Sequence, residues 1–258
     1  MQVRFCFIIL FFITQLFFID KLYSNSNQEV KNKKLNFTTK ITLGGNYQTG
    51  NTEKSGLSLS ALVSAKDSIK EFSLNGRYNY GKDRNVKNVQ DYLVGVQYDY
   101  HPFATFSPFL RFELYSNEFQ KIKQRYSGLL GGKYRIYSSY EENKLTSEYS
   151  VSAAVLIDYE KYIKEADLSD KEKYRLSLRP KMRQEIMKNI LLNLELFYQP
   201  AISDFHNYLI DGKVSLDFRV NQYIFLKSSY EYKYNSKPAT SDVKKQDTLF
   251  LMSLGVEF

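Results

Sequence analysis

The chain has almost none of the residues that staple small exported domains or build metal sites. Of 258 residues, one is cysteine, Cys6, and two are histidine, His101 and His206. One thiol makes no disulfide framework, and no His/Cys set stands at ligand spacing, so a thiolate metal centre is excluded and no cofactor is implied. Tryptophan is absent, and glycine (12) and proline (5) are sparse. That composition excludes collagen-like and low-complexity chains. Neither a glycine-rich phosphate loop nor a nucleic-acid recognition motif is present. Long apolar runs are missing too: the longest, Phe5 to Ile19, has about 15 residues where a spanning helix needs ~20. A mean hydropathy of -0.43 agrees.

What is abundant is aromatic, with 22 tyrosines and 19 phenylalanines, which favours strands over helices. The start of the chain, with Arg4, the apolar run and then Asp20, Lys21 and small polar residues, reads as a secretory signal peptide over residues 1–24, cleaved near Ser24. Leu22 fits the residue pattern before a cleavage site poorly, and an uncleaved anchor is the alternative. Residues 25–33 read as a short periplasmic tail. Cys6 lies within the expected signal, so the exported chain keeps no cysteine; export without disulfides suits a bacterial envelope protein.

From residue 34 to Phe258 the period is two. Leu57, Leu59, Ala61 and Val63 alternate with Ser58, Ser60 and Ser64. Phe72, Leu74, Gly76, Tyr78 and Tyr80 alternate with Glu71, Ser73, Asn75, Arg77 and Asn79. Similar runs recur along the chain, the seventh from Leu145 to Tyr159, and give about twelve strands of a length that suits tilted membrane crossing. Linkers such as AKDS and EIMKN are short, whereas GKDRNVKNVQ, KYIKEADLSDKEK, AISDFHN and NSKPATSDVKKQ are longer and polar. So many long strands with one apolar face would need a second layer in water, and no segment supplies it. Lipid can cover that face if closure pairs every backbone group. The expected fold is therefore all-β, a transmembrane antiparallel up-and-down barrel with both termini on the short-turn, periplasmic side. Tyr78, Tyr80, Tyr198, Tyr230, Tyr232 and Tyr234 fall at the long-loop ends of strands, and Phe37, Phe72, Tyr98, Tyr100 and Phe258 at the other ends, as two interfacial girdles. A soluble lipocalin-like barrel, a periplasmic binding protein, is the alternative architecture.

The last strand ends with Phe250, Met252, Leu254, Val256 and Phe258 on one face. A terminal aromatic on such a strand resembles the signal by which bacterial outer-membrane barrels are recognised for insertion. Outer-membrane lipid and the barrel assembly machinery are then the expected partners, with the protein a monomer in the outer membrane.

Several stretches together resemble one family. TGNTEKSGLSLSA (Thr49 to Ala61), EFSLNGRYNYGK (Glu71 to Lys82), YLVGVQYDY (Tyr92 to Tyr100) and FELYSNEFQKIKQRYSGLLGGKYRI (Phe112 to Ile136), with SSYEYKYNSKP and KKQDTLFLMSLGVEF, are similar to the YdiY-like outer-membrane proteins. These carry the domain of unknown function numbered 481 and are sometimes described as salt-induced. The resemblance covers nearly all of the exported chain. It implies a monomeric barrel without assigned catalytic residues.

Candidate chemistry lies on the inward faces. In the eighth strand Lys173, Arg175, Arg179, Lys181 and Arg183 form a basic stripe if Tyr174, Leu176, Leu178 and Met182 face lipid. Glu113, Glu148, Asp158, Glu195, Asp211, Asp217 and Glu231 face inward on other strands. One reading pairs the stripe with acids such as Glu148 and Glu195 and seals the interior. The other leaves it partly unpaired, as an anion-attracting wall in a narrow pore. An enzymatic alternative, a surface hydrolase, rests on Asp204 and His206 in the loop SDFHN, a motif that occurs by chance. His101, in the turn HPF, reads as a turn residue. Lys54, Lys121, Lys123, Lys164, Lys244 and Lys245 in the long loops are either a solvated surface or contacts for lipopolysaccharide phosphates. On the second reading of the stripe, replacing Arg179 and Arg183 by Glu reverses the sign of the reversal potential across a planar bilayer; an unchanged potential argues for the sealed interior.

Overall fold

The computed structural model describes residues 35–49, 54–83, 86–141, 144–164 and 167–258. The expected signal peptide and periplasmic tail lie outside the described residues. Twelve antiparallel strands follow one another in chain order: β1 (Asn36–Thr49), β2 (Lys54–Lys66), β3 (Lys70–Asp83), β4 (Val86–Tyr100), β5 (Phe106–Asn117), β6 (Ile122–Glu141), β7 (Lys144–Tyr162), β8 (Lys171–Met187), β9 (Ile190–Ala201), β10 (Asp204–Arg219), β11 (Ile224–Asn235) and β12 (Gln246–Glu257). Each strand pairs with its sequence neighbours, and β1 pairs with β12, so the sheet closes into a barrel. At the seam Ile41 faces Val256 and Leu43 faces Leu254. The N–H of Phe258 donates to the carbonyl of Thr39, and the N–H of Thr39 donates back to that of Phe258, both at 2.9 Å.

Side-chain alternation divides this wall into two environments. Leu43, Leu57, Leu226, Met252 and Leu254 stand exposed on the outside, each showing about half or more of its surface. A continuous apolar band of this kind, far beyond the few hundred Å² a soluble monomer tolerates, requires lipid against it. Serines, amides and charged groups fill the inner face, among them Ser58, Asn79, Asp91, Ser127 and Ser150, all buried.

Aromatic pairs mark both rims. Tyr198, Tyr208 and Tyr234 pack in a row at 5.7 and 5.8 Å at the long-loop end of β9, β10 and β11, and Tyr78 and Tyr80 stack at the same end of β3. At the other end Tyr223 packs on Phe258 at 6.2 Å. Tyr100 departs from the girdle expected of it. Its ring is only 8% exposed, with the His101 imidazole edge 4.3 Å away. His101 itself occupies a turn position at φ 49°.

The alternation of loop lengths is weaker than the sequence suggests. β3 runs to Asp83 and β4 resumes at Val86, so most of GKDRNVKNVQ is ladder. In AISDFHN only Ile202 and Ser203 lie outside strands. The polar composition marks where the wall leaves the apolar band, not where pairing stops: a hairpin continuing into water keeps its backbone groups paired and turns polar on both faces. Among the connections with described residues, those that follow β7 and β11 are long, and both lie on the same rim.

Two glycines make room for side chains inside the wall. A Cβ on Gly255 would stand 2.3 Å from the Phe225 ring, and one on Gly95 would stand 3.0 Å from the Arg111 guanidinium. We expect Gly255→Val to destabilise the barrel by about 1–3 kcal/mol through overpacking. The temperature at which the folded gel band is lost should fall, and Phe225→Leu in the same chain should restore it.

Candidate functional site

The lumen is the candidate site, and its two halves differ. Towards the long-loop rim, side chains from opposed walls meet. β5 and β11 stand six places apart in the twelve-strand ring, diametrically opposite. Yet the Lys233 ammonium of β11 lies 5.2 Å from the centre of the Tyr115 ring of β5. Arg125 of β6 approaches the same ring at 5.6 Å. Arg77 of β3 reaches across to Glu231 of β11 at 2.7 Å, and Lys213 of β10 meets the same carboxylate at 2.5 Å. These contacts cross the lumen, because four strand positions separate β3 from β11.

Above this layer the connections turn inwards. Tyr115, Ile122 and Tyr162 form a buried cluster against which Leu168, from segment 163–170, and Ala239, from segment 236–245, pack. A single 3-10 turn, Glu118–Gln120, follows β5, capped by the Asn117 side chain, which accepts from the N–H groups of Phe119 and Gln120. That turn brings the Gln120 amide to Asp247 of β12 at 2.8 Å. Lys121, at φ 62°, comes within 3.7 Å of Asp242. Beneath the cap a cavity of about 20 Å³ is lined by Arg77, Asn79, Asp91, Glu231 and Lys233 among others, room for about one water.

The basic stripe of β8 divides between these halves. Lys173 and Arg125 both bind Glu160 at 2.8 Å, and the Tyr162 hydroxyl donates to the same carboxylate at 2.5 Å. Arg175 is 1% exposed; it pairs with Asp158 at 3.5 Å and donates to the carbonyls of Gln199 and Asn207, both at 3.0 Å. Asp158 also accepts from Ser127 at 2.6 Å. Arg179, further along, pairs with Glu195 at 3.5 Å and lies over the rings of Phe109 and Phe197.

Lys181 and Arg183 make no hydrogen bond or ion pair among the described residues, and the Arg183 Nε is buried without a partner. Glu148 stands opposite Arg183 in the ladder but forms no ion pair with it. Of the two acids singled out in the sequence, Glu195 therefore neutralises part of the stripe and Glu148 does not. Most neutralisation comes from Asp158 and from Glu160. The latter was missed because β7 was expected to end at Tyr159, whereas its alternation continues inward through Glu160 and Tyr162.

Other groups missed by sequence reasoning are Tyr115, Arg77, Arg125 and Lys233. Parity places each of them inside, but only closure of the ring shows which inward residues face one another. Of the remaining inward acids, Glu113 pairs with Arg111 and Asp217 with Lys227 at 3.2 Å.

Water reaches the two halves unequally. The side chains of Glu160, Asp158 and Arg175 are 1–2% exposed, while their neighbours Arg125 and Lys173 show 17% and 21%. Nearer the short-turn end Lys227 is 26% and Lys40 25% exposed, and at mid-strand Glu195 is 28% and Glu113 27%. One half of the lumen is thus packed and nearly dry; the other is a wet vestibule.

The hydrolase candidate lacks the partners it needs. The His206 side chain is 96% exposed, with Nδ1 3.5 Å from Asp204. Asp204 is already bound by Lys237 at 2.5 Å and by the His206 N–H at 3.1 Å. Among the described residues no group of three His, Cys, Asp or Glu is placed to hold a metal ion. The aliphatic and aromatic residues of the last strand, Phe250, Met252, Leu254 and Phe258, stand exposed on the outer face, with Val256 half-buried beside them.

A closed antiparallel ring with an apolar outside and a charged inside defines a transmembrane β-barrel of the outer-membrane type. The chain belongs to the family described as "Protein of unknown function, DUF481", which matches residues 41–258; the YdiY-like resemblance is consistent with this. Among solved structures, the NanC porin is similar at a TM-score of 0.56 and 9% identity, covering 84% of this chain and 98% of that one. The KdgM porin aligns at a TM-score of 0.46 and 16% identity over 85% and 99% of the two chains. Only the NanC likeness is close enough to speak for the fold. No curated protein matches the chain.

Removing the shared acceptor Glu160 leaves Arg125 and Lys173 without their counter-charge in a nearly dry region. We expect Glu160→Gln to cost about 3 kcal/mol, read as a lower midpoint in urea unfolding of the lipid-reconstituted barrel.

Proposed function

We propose that the protein is a bacterial outer-membrane barrel acting as a narrow passive pore, closed in this conformation at its long-loop end and open to water from the short-turn end. The observation that carries this reading is the contact of Lys233 and Tyr115 across the full ring. A barrel serving only to hold the envelope together gains nothing from a wet vestibule under a dry cap, whereas a gated pore needs both. In the same reading the signal peptide is cleaved near Ser24, and the alternating face from Phe250 to Phe258 is the signal read by the assembly machinery. The protein works as a monomer without a cofactor. Exposed lysines of the long-loop rim, such as Lys123 at the start of β6 and Lys164, meet lipopolysaccharide phosphates. No enzymatic step is assigned, because Asp204 and His206 stand without a nucleophile or second carboxylate pair.

The test is conductance. Refolded wild-type protein in a planar bilayer is expected to be silent or to open rarely. Tyr115→Ala with Lys233→Ala removes the bridge across the lumen and should give frequent discrete steps. A double variant that folds, shown by a heat-shifted gel band, yet stays silent would instead favour a purely structural barrel.

A further inference from the structure

We propose that the vestibule wall formed by β6, β7 and β8 binds a small oxyanion solute through Lys133, Lys181 and Arg183. The inference rests on the reading of this half of the lumen as water-filled, but not on conduction. Ladder register places Lys133 opposite Ser152, Lys181 opposite Ser150 and Arg183 opposite Glu148, all on the inner face. β7 lies between β6 and β8, so the cationic side chains rise from backbones about 10 Å apart on either side of it. The strand between them offers the short side chains of Ser150 and Ser152, both 4% exposed, the latter accepting from Arg179 at 3.4 Å, and then Glu148 beside Arg183. The result is a trough with basic walls and a hydroxyl floor.

Its charges are not used internally. Every other basic group of the β8 stripe has an acid: Glu160 for Lys173, Asp158 for Arg175 and Glu195 for Arg179. Lys133, Lys181 and Arg183 have no ion pair among the described residues, and Lys181 is exposed to the lumen. The facing acids are few. Glu148 is unpaired, Asp99 accepts from Gln97 at 2.7 Å, and Glu195 is held by Arg179. Arg135, the remaining cation of the β6 side, is committed to the carbonyls of Pro102 and Phe103. The Gln97 amide does not neutralise Asp99, so Lys133, Lys181, Arg183 and Arg135 stand against two carboxylates without an ion pair among the described residues, Glu148 and Asp99, and leave a net positive trough.

Unpaired cations clustered on one wall repel one another, a cost relieved when a ligand supplies the missing acceptors. Two ammonium groups and a guanidinium fork present donors in several directions, with hydroxyls beneath. That arrangement suits a phosphate or carboxylate group with three or more acceptor oxygens. It offers a neutral sugar or an apolar ring no stacking face, because the nearby rings of Phe109 and Phe197 already carry Arg179.

The experiment is calorimetric titration of the refolded full barrel in detergent at low salt with two probes, inorganic phosphate and citrate. Both are expected to bind. Lys181→Gln with Arg183→Gln should weaken binding at least about tenfold, the effect of losing about 1.4 kcal/mol of charge-assisted hydrogen bonding. Lys82→Gln with Lys161→Gln, the same charge change at lysines that lie over the Tyr80 and Tyr159 rings outside the trough, should leave it intact. Binding of one probe only would identify the source as phosphate or carboxylate and still support the trough. No binding by either probe, or equal weakening by the two double variants, overturns the proposal. If the lumen variant gives no heat-shifted band, the wild-type protein decides: phosphate should slow acetylation of Lys133 and Lys181 relative to Lys82, and uniform rates overturn the site. A silent bilayer recording, which would defeat the pore reading, leaves these outcomes unaffected.

Discussion

In hydrocarbon a peptide N–H or C=O without a partner has no water to turn to, and each such group costs several kcal/mol. A sheet meets that constraint only when it has no edge. Everything else in this molecule follows from the seam where β1 meets β12 and the backbone of Phe258 exchanges hydrogen bonds with Thr39. Closure fixes which side chains point to lipid and which point inwards. It also brings residues distant in sequence into one small enclosed space.

That enclosure explains the charge content. Charges placed on the inner face must find partners or water. Near the long-loop rim they find partners: Glu231 takes Arg77 and Lys213, and Glu160 takes Arg125, Lys173 and the Tyr162 hydroxyl. Towards the short-turn rim they keep water. The same composition therefore makes a rigid cap and an open vestibule in one tube, depending on how far the side chains and inward-turning loops reach.

Much of the wall was legible in the sequence. Alternation located the strands, and the faces assigned to Leu57, Phe72 or Lys173 follow from parity alone, because a one-residue slip would turn a whole strand's apolar face into the lumen. Parity does not know where the membrane ends, so polar hairpin extensions such as those around Asp83 and Val86 looked like loops. The candidate site was legible strand by strand but not across the ring. That Glu160 serves Lys173 is a near-neighbour matter lost by ending β7 at Tyr159, three residues early. That Lys233 meets Tyr115 depends on the circumference and stagger of the closed sheet, which no local pattern encodes.

The exchange of hydrogen bonds between Thr39 and Phe258 has a consequence for the life of the chain before it becomes a barrel. The first strand made is the last to be completed, since its second partner is the final strand. Until then the ring has two raw edges carrying aliphatic faces, a state prone to pairing with other chains. Assembly is thus a single ring-closing event of the highest possible sequence separation, slow by its topology. A cell that makes this protein must keep a long, sticky, unfinished ribbon apart from its neighbours for the whole of that wait.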